Sequence, residues 1–343
     1  MAIYKARATV RIDFLGGGSD APPFCLEHGG GVINGGLNRY AIATLEVGPH
    51  LSGVEIRSLD LNAVVRAASV AALEFNGELD LIKAALRRGG LDGPLRLTTE
   101  SEAPPQSGLG ASASVLVSIL AACRLALGQP WDRARLADEA TIAERGDLGL
   151  AGGAQDHYGA AFGGLHYYRF TDQGTTVHDL AISKDLVAEL EHRLLLVYSG
   201  MTHLSGNIHA DIKAAYRDDA SPCKQAMFGL ARIAREGCDV LRRGDLRAFA
   251  QLLNENWRYH KDLHFSCTNE HLDQIYATAR RHGMIGGKTC GAGGGGCLVF
   301  FCEEGRKAEL RDALAPLCCQ PMPFSFDFQG VYAWESKSAD FKV

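Results

Sequence analysis

Residues 102–123 read EAPPQSGLGASASVLVSILAAC, two prolines, two glycines and several serines directly ahead of a long apolar run. Gly108 and Gly110 free the backbone to turn several N–H groups toward one point. The helix expected to begin near Ser112 adds its own unpaired N–H groups and the positive end of its dipole. Together these make a concave nest suited to a polyphosphate. Ser112 and Ser114 can donate to phosphate or ligate a hard cation through the hydroxyl oxygen. A Gly/Ser turn capping an ordinary buried helix would carry the same residues, so this stretch alone leaves both readings open.

Other patterns are excluded by the order of their elements. GAGGGG, Gly291 to Gly296, fits G-x-G-x-x-G, but that fingerprint needs a strand before it and a helix after it. Here the apolar strand CLVFF follows instead. Gly286-Gly287-Lys288-Thr289 is similar to the end of a lysine phosphate loop, yet His282 stands where the first glycine belongs and no helix is expected after Thr289. Neither His-Glu-x-x-His nor Gly-x-Ser-x-Gly occurs, which excludes a helix-borne zinc-protease site and a nucleophile elbow.

The elements that must position such a loop alternate in type. RATVRIDFL reads as a strand through Ala8, Val10, Ile12 and Phe14 before GGGSD breaks it, and RYAIATLEV and PLRLTTE read as further strands. Ser114 to Leu127 reads as a helix stopped by Gly128 and Pro130, and Asp132 is a plausible N-cap for a second helix to about Arg145. LHYYRF and HRLLLVYSG are strand candidates, helical patterns dominate from about Gly200 to Arg281, and a glycine turn then leads into CLVFF. This mixed order implies an α+β chain of two halves divided near residues 185–195, here set as 1–190 and 191–343.

Composition fits a soluble, cytoplasmic globular protein. Of 343 residues, 46% are hydrophobic and 22% charged, with a net charge of −5. The absence of a basic excess argues against a nucleic-acid partner. No signal-like apolar run opens the chain and no stretch suits a membrane span. The ten cysteines form no Cys-x-x-Cys pair, so reduced, mostly buried thiols are expected rather than a disulfide or zinc framework.

The loop PPQSGLGASAS resembles the P-x-x-x-G-L-G-S-S-A loop of the GHMP kinases, the group of galactokinase, homoserine kinase and mevalonate kinase. ATVRIDFLGGGSD is similar to that family's N-terminal motif, and KTCGAGGGGC to its third, glycine-rich motif. The three occur in the family's order across roughly residues 8 to 297, which is far more specific than any one of them. RIDFLGGGSDAPPF, LGLAGGAQDHYGAAFGGLHYYRF and FSFDFQG resemble the heptose-kinase branch, and Gly16-Gly17-Gly18 stands where other branches carry Gly-Glu-His. The resemblance implies a GHMP kinase fold, an N-terminal βαβ-type domain beside a ferredoxin-like C-terminal one, with the last strand able to cross back. It implies ATP and Mg²⁺ as cofactors and phosphorylation of the anomeric C1 hydroxyl of a sugar phosphate, D-glycero-D-manno-heptose 7-phosphate first. An octose phosphate, or sugar binding without catalysis, are the alternatives.

Site roles follow from the same resemblance. Asp156 is the expected general base and Arg11 its basic partner. Pro105, Ser107, Gly108, Leu109, Gly110, Ala111, Ser112 and Ala113 form the nucleotide loop, with Ala111 in place of the family's first serine. Ser112 and Glu144 are the expected Mg²⁺ ligands. Gly17, Gly18, Ser19 and Asp20, with Gly293 and Gly294, are placed at the acceptor. A sugar phosphate needs a second anion site, for which Arg39, His203, His209 and Lys213 are the candidates.

Overall fold

The computed structural model describes residues 2–202 and 205–336. The chain runs β1 (Ala2–Leu15), α1 (Phe24–His28), β2 (Gly30–Val47), β3 (Val54–Ser58), β4 (Ala63–Ala67), α2 (Asp80–Gly89) and β5 (Leu95–Ser101). α3 (Ala111–Ala126) and α4 (Arg133–Thr141) follow, then a π-helical turn at Ile142–Asp147, α5 (Gln155–Phe162), β6 (Leu165–Thr171) and β7 (Gly174–Asp179). α6 (Lys184–Arg193) leads to β8 (Leu194–Tyr198), α7 (Ser205–Tyr216), α8 (Cys223–Arg242), α9 (Leu246–Leu263) and α10 (Glu270–Arg281). β9 (Met284–Thr289), β10 (Cys297–Cys302), α11 (Lys307–Leu314), β11 (Gln320–Pro321) and β12 (Tyr332–Ser336) complete the order.

Two sheets result. The first is ordered β12-β1-β2-β5-β3-β4, with β6 pairing β2 and β7 beyond β6. β3 and β5 are parallel neighbours joined through β4 and α2. The second, β11-β8-β10-β9, is antiparallel throughout. Its strands and intervening helices follow the split βαβ order of a ferredoxin-like half. β12 crosses back, Ile3 lying opposite Ser336 and Arg7 opposite Tyr332, so the expected C-terminal half supplies a strand to the first sheet.

β1 is covered on both sides. Val10, Ile12 and Phe14 are buried, and so are Arg11 and Asp13, which therefore need partners inside the protein. On α8, Met227, Leu230, Ile233, Ala234 and Leu241 recur at helical spacing and join Phe14, Leu15 and Ile33 in one apolar cluster. Asp132 caps α4 by accepting the Arg135 N–H. The helix expected to reach Arg145 is α-helical only to Thr141 and then widens into the π turn, a local form often found at functional sites. Among the described residues every cysteine is free, and no helix is long and apolar enough to cross a membrane.

Candidate active site

A cleft of about 1220 Å³ is lined from both halves of the chain. One wall is the 104–110 loop. Gly108 and Gly110 adopt φ of 76° and 73°, the left-handed region that favours glycine. A β-carbon on Gly108 would lie 2.4 Å from the Cys290 carbonyl oxygen, and one on Gly291 would lie 3.0 Å from the Gly108 Cα. The nucleotide loop and the third, glycine-rich motif therefore pack backbone against backbone. α3 starts without a side-chain cap, leaving the amides of Ala111 to Ala113 without intrahelical partners. Beside them, the buried Ser107 Oγ has no partner among the described residues.

Arg11 joins this loop to α5. Its Nη1 donates to the Gly108 carbonyl oxygen at 2.6 Å, while Nε and Nη2 donate to Asp156 Oδ1 at 2.9 and 2.6 Å. Burial opposes the Arg11 charge, but Asp156 and then Asp13 outweigh it and raise the pKa above its ordinary value. Both bonds to Asp156 fall on Oδ1. Oδ2 accepts no hydrogen bond among the described residues.

Glu144 sits in the π turn with Oε2 3.0 Å from Nε2 of the fully buried His157. Burial pushes its pKa up, but His157 and His209 outweigh that and hold it below the usual carboxylate value. Asp20 accepts the Gly18 N–H on Oδ1 at 3.1 Å and the Gln155 N–H on Oδ2 at 3.0 Å. Its pKa is raised, by burial first, with Asp156 and Asp13 adding to it against the two amides. Gly17 has no room for a side chain, since a β-carbon there would lie 2.1 Å from Asp13 Oδ2.

The cleft gathers most of the expected site. Pro105, Ser107, Gly108, Gly110, Ala111 and Ser112 line it from the loop. Arg11, Gly17, Gly18, Asp20, Glu144 and Asp156 line it from the rest of the first half, and Gly293 from the second. Several residues are not brought there. Ser19 is fully buried, its hydroxyl donating to Gly16 and Gly31 carbonyl oxygens. Ser114 donates to the Thr9 and Gly110 carbonyl oxygens at 2.7 and 3.0 Å, so its hydroxyl is a helix-to-strand tie.

The remaining corrections are of the same kind. Leu109 and Ala113 turn their side chains into the buried interior, leaving only backbone for a ligand. Gly294 donates its N–H to the Cys267 carbonyl oxygen and accepts from Asn269, so its backbone is already used. Arg39 lies away from the cleft and donates to the Pro323 carbonyl oxygen. His203 lies outside the described residues. His209 and Lys213, one helical turn apart on α7, do line the cleft.

Sequence reasoning missed Arg145, Gln155 and His260 as cleft residues, and also Leu61 from the β3–β4 turn and Phe75 from the β4–α2 connection. Arg145 and Gln155 adjoin residues the motifs mark, which was a usable signal. His260 and Phe75 sit in no motif.

The family profile described as GHMP kinases N terminal domain matches residues 62–164, and that described as GHMP kinases C terminal matches residues 239–317. The chain is 32% identical to D-glycero-alpha-D-manno-heptose 7-phosphate kinase of Campylobacter jejuni, across 97% of this chain and 99% of that one. It superposes with a TM-score of 0.81 and 30% identity on the crystal structure of a D-glycero-D-manno-heptose 1-phosphate kinase from Bacteroides thetaiotaomicron, covering 98% and 100% of the two chains. Lactococcus lactis galactokinase complexed with galactose shares the fold at 16% identity, with a TM-score of 0.78 over 96% and 95% of the chains.

Proposed function

Because this chain belongs to the GHMP kinases, we propose that its cleft transfers the γ-phosphoryl group of ATP to the C1 hydroxyl of a sugar phosphate, D-glycero-D-manno-heptose 7-phosphate first among them. The observation that carries this reading is the Arg11 guanidinium. It holds the phosphate-loop carbonyl of Gly108 and Asp156 Oδ1 together, leaving Asp156 Oδ2 without a partner among the described residues.

Phosphoryl transfer asks the protein for positioning and for charge stabilisation. The free amides at the start of α3, with Ser107 Oγ, cradle the triphosphate. Asp156 Oδ2 takes the C1 hydroxyl proton as the C1 oxygen forms its bond to the γ-phosphorus. The bond from that phosphorus to the β,γ-bridging oxygen breaks, and ADP leaves with the electron pair. Arg11 orients Asp156 through its two hydrogen bonds to Oδ1 and sits where the transferred charge develops. Asp20 and the Gly17-Gly18 backbone receive the sugar, using the lone pairs of Asp20 not engaged by main-chain amides.

Ser112 and Glu144 fit a hard cation. Each offers oxygen, Glu144 is held ionised by His157 and His209, and no cluster of three His, Cys, Asp or Glu suited to a metal occurs among the described residues. ATP oxygens and water would complete the coordination of Mg²⁺, which when bound offsets the charge of the β- and γ-phosphates. For the acceptor's own phosphate, Lys213 on α7 and Arg145 on the π turn supply positive charge, and His209 on α7 supplies a ring N–H donor. None of the three side chains makes an ion pair or hydrogen bond among the described residues.

The test is ADP release with heptose, octose and hexose phosphates, with the product phosphate located by ³¹P NMR. A C1 phosphate formed fastest on a heptose 7-phosphate supports the reading. Turnover on none of them would favour a sugar-binding protein instead.

A further inference from the structure

Lys288 takes no part in the nucleotide loop, yet it is fully buried on β9. Its ammonium donates to two oxygens of one residue, Asp13 Oδ2 at 2.9 Å and the Asp13 main-chain oxygen at 2.8 Å. Asp13 stands two residues beyond Arg11 on β1, and Arg11 donates to Asp156. From core to cleft the charges therefore alternate: Lys288, Asp13, Arg11, Asp156. Asp13 and Arg11 act on one another through charge, with no hydrogen bond between their side chains.

Such a chain is tolerable inside a protein because each charge is compensated, and removing one member leaves another exposed to the full cost of burial. His260 supplies no further cation to Asp13. Burial first, and then Lys288, push its pKa down to about 4, so it is neutral near pH 7. Asp13 Oδ1 is buried and accepts from no group among the described residues. The acceptor capacity to capture a nearby guanidinium is thus already in place.

We propose that Lys288 is a positioning residue for Asp156: by neutralising Asp13 it leaves the Arg11 guanidinium to Asp156 and Gly108. The inference rests on the reading of Asp156 as the base. Without the ammonium, Arg11 faces two carboxylates, and the more deeply buried one attracts it more strongly. Drawing Arg11 toward Asp13 releases Asp156 and the loop carbonyl together.

Lys288→Met is expected to lower kcat by about ten- to a hundredfold, with KM for ATP and for the acceptor held within about twofold. Adding Asp13→Asn removes the competing anion and is expected to bring kcat back to within about threefold of the parent. A merely structural lysine would not give that split between kcat and KM in protein shown to be folded by circular dichroism. A parental kcat in Lys288→Met, or a double variant as slow as the single one, overturns the proposal. Should Lys288→Met not fold, the double variant decides alone. It is expected to fold and turn over near the parental rate, and a slow or unfolded double variant overturns the proposal. Asp156→Asn run alongside separates the two claims. Near-normal turnover there sinks the base itself, whereas an inactive Asp156→Asn beside a parental Lys288→Met sinks only the role of Lys288.

Discussion

His157 Nε2 stands 3.0 Å from Glu144 Oε2, and the residue before it on α5, Asp156, takes two hydrogen bonds from Arg11. One turn of helix thus addresses the carboxylate assigned to the metal and the carboxylate assigned to the proton. A shift of α5 would move both at once, so variants in this turn should change metal response and turnover together.

Asp156→Asn keeps the shape of the side chain and removes its basicity. Turnover is expected to fall about 10²- to 10⁴-fold, with the Kd of a non-hydrolysable ATP analogue nearly unchanged. Single-turnover kinetics with calorimetry checks both quantities. Parental turnover would remove Asp156 from the role.

Ser112→Ala should move the Mg²⁺ titration of activity to higher concentration, and a curve indistinguishable from the parent would count against a hydroxyl ligand. For Glu144 the sign follows from its lowered pKa: the carboxylate is ionised above its folded pKa and is lost as pH falls through that value. His157→Leu removes the larger of the two histidine contributions and leaves only His209 and Arg145 to oppose burial. Mg²⁺ stimulation in that variant is expected to fade at a higher pH than in the parent when both are titrated downward.

Gly108→Ala places a β-carbon 2.4 Å from the Cys290 carbonyl oxygen at φ 76°. The backbone conformation alone is expected to cost about 1–3 kcal/mol, read as a lower urea midpoint. Because that contact joins the two glycine motifs, nucleotide affinity should weaken as well. A variant with parental midpoint and parental affinity would show that the loop has room to relax.

Lys213→Ala should raise KM for the sugar phosphate by about ten- to a hundredfold, the scale of a lost hydrogen bond to a charged group, and leave KM for ATP nearly constant. Arg39→Ala is expected to change neither, since Arg39 faces Pro323 away from the cleft. Equal KM effects from the two variants would move the acceptor phosphate elsewhere.

His260 gives the fold a pH dependence of definite sign. Its folded pKa of about 4 lies below the ordinary value of 6.5, so between those values the unfolded chain binds the extra proton. Stability contributed by neutral His260 is present above about pH 6.5 and is lost as pH falls toward about 4, with a slope of up to about 1.4 kcal/mol per pH unit. Urea unfolding of the parent and His260→Leu across that window is expected to show the shallower slope in the variant. Parallel slopes would assign the loss to other groups.

The parts of the site that were legible in the sequence are those set by residue type and order. Gly108 and Gly110 must be glycine because of their backbone angles, and Arg11, Glu144 and Asp156 carry charge that the cleft collects. What the sequence did not carry is orientation. Ser112 and Ser114 look alike on paper, yet one lines the cleft and the other is tied to Thr9 and Gly110 inside the protein. Ser19 and Gly294 were placed at the acceptor by motif alone, and their hydrogen bonds to backbone elsewhere in the chain leave no local trace. The helix toward Arg145 was visible in outline, but its π turn was not. The Asp13–Lys288 pair joins residues 275 positions apart, and a residue count alone made Lys288 a failed loop lysine.

β12 completes the edge of β1, the strand that carries Arg11 and Asp13. As the chain leaves the ribosome, Ile3 to Arg7 must therefore wait until Tyr332 to Ser336 have been made before that border is closed. Until then the strand offers open backbone to any neighbour. Trimming the chain before Tyr332 would fix that vulnerable interval permanently, trading a finished enzyme for one inclined to self-associate.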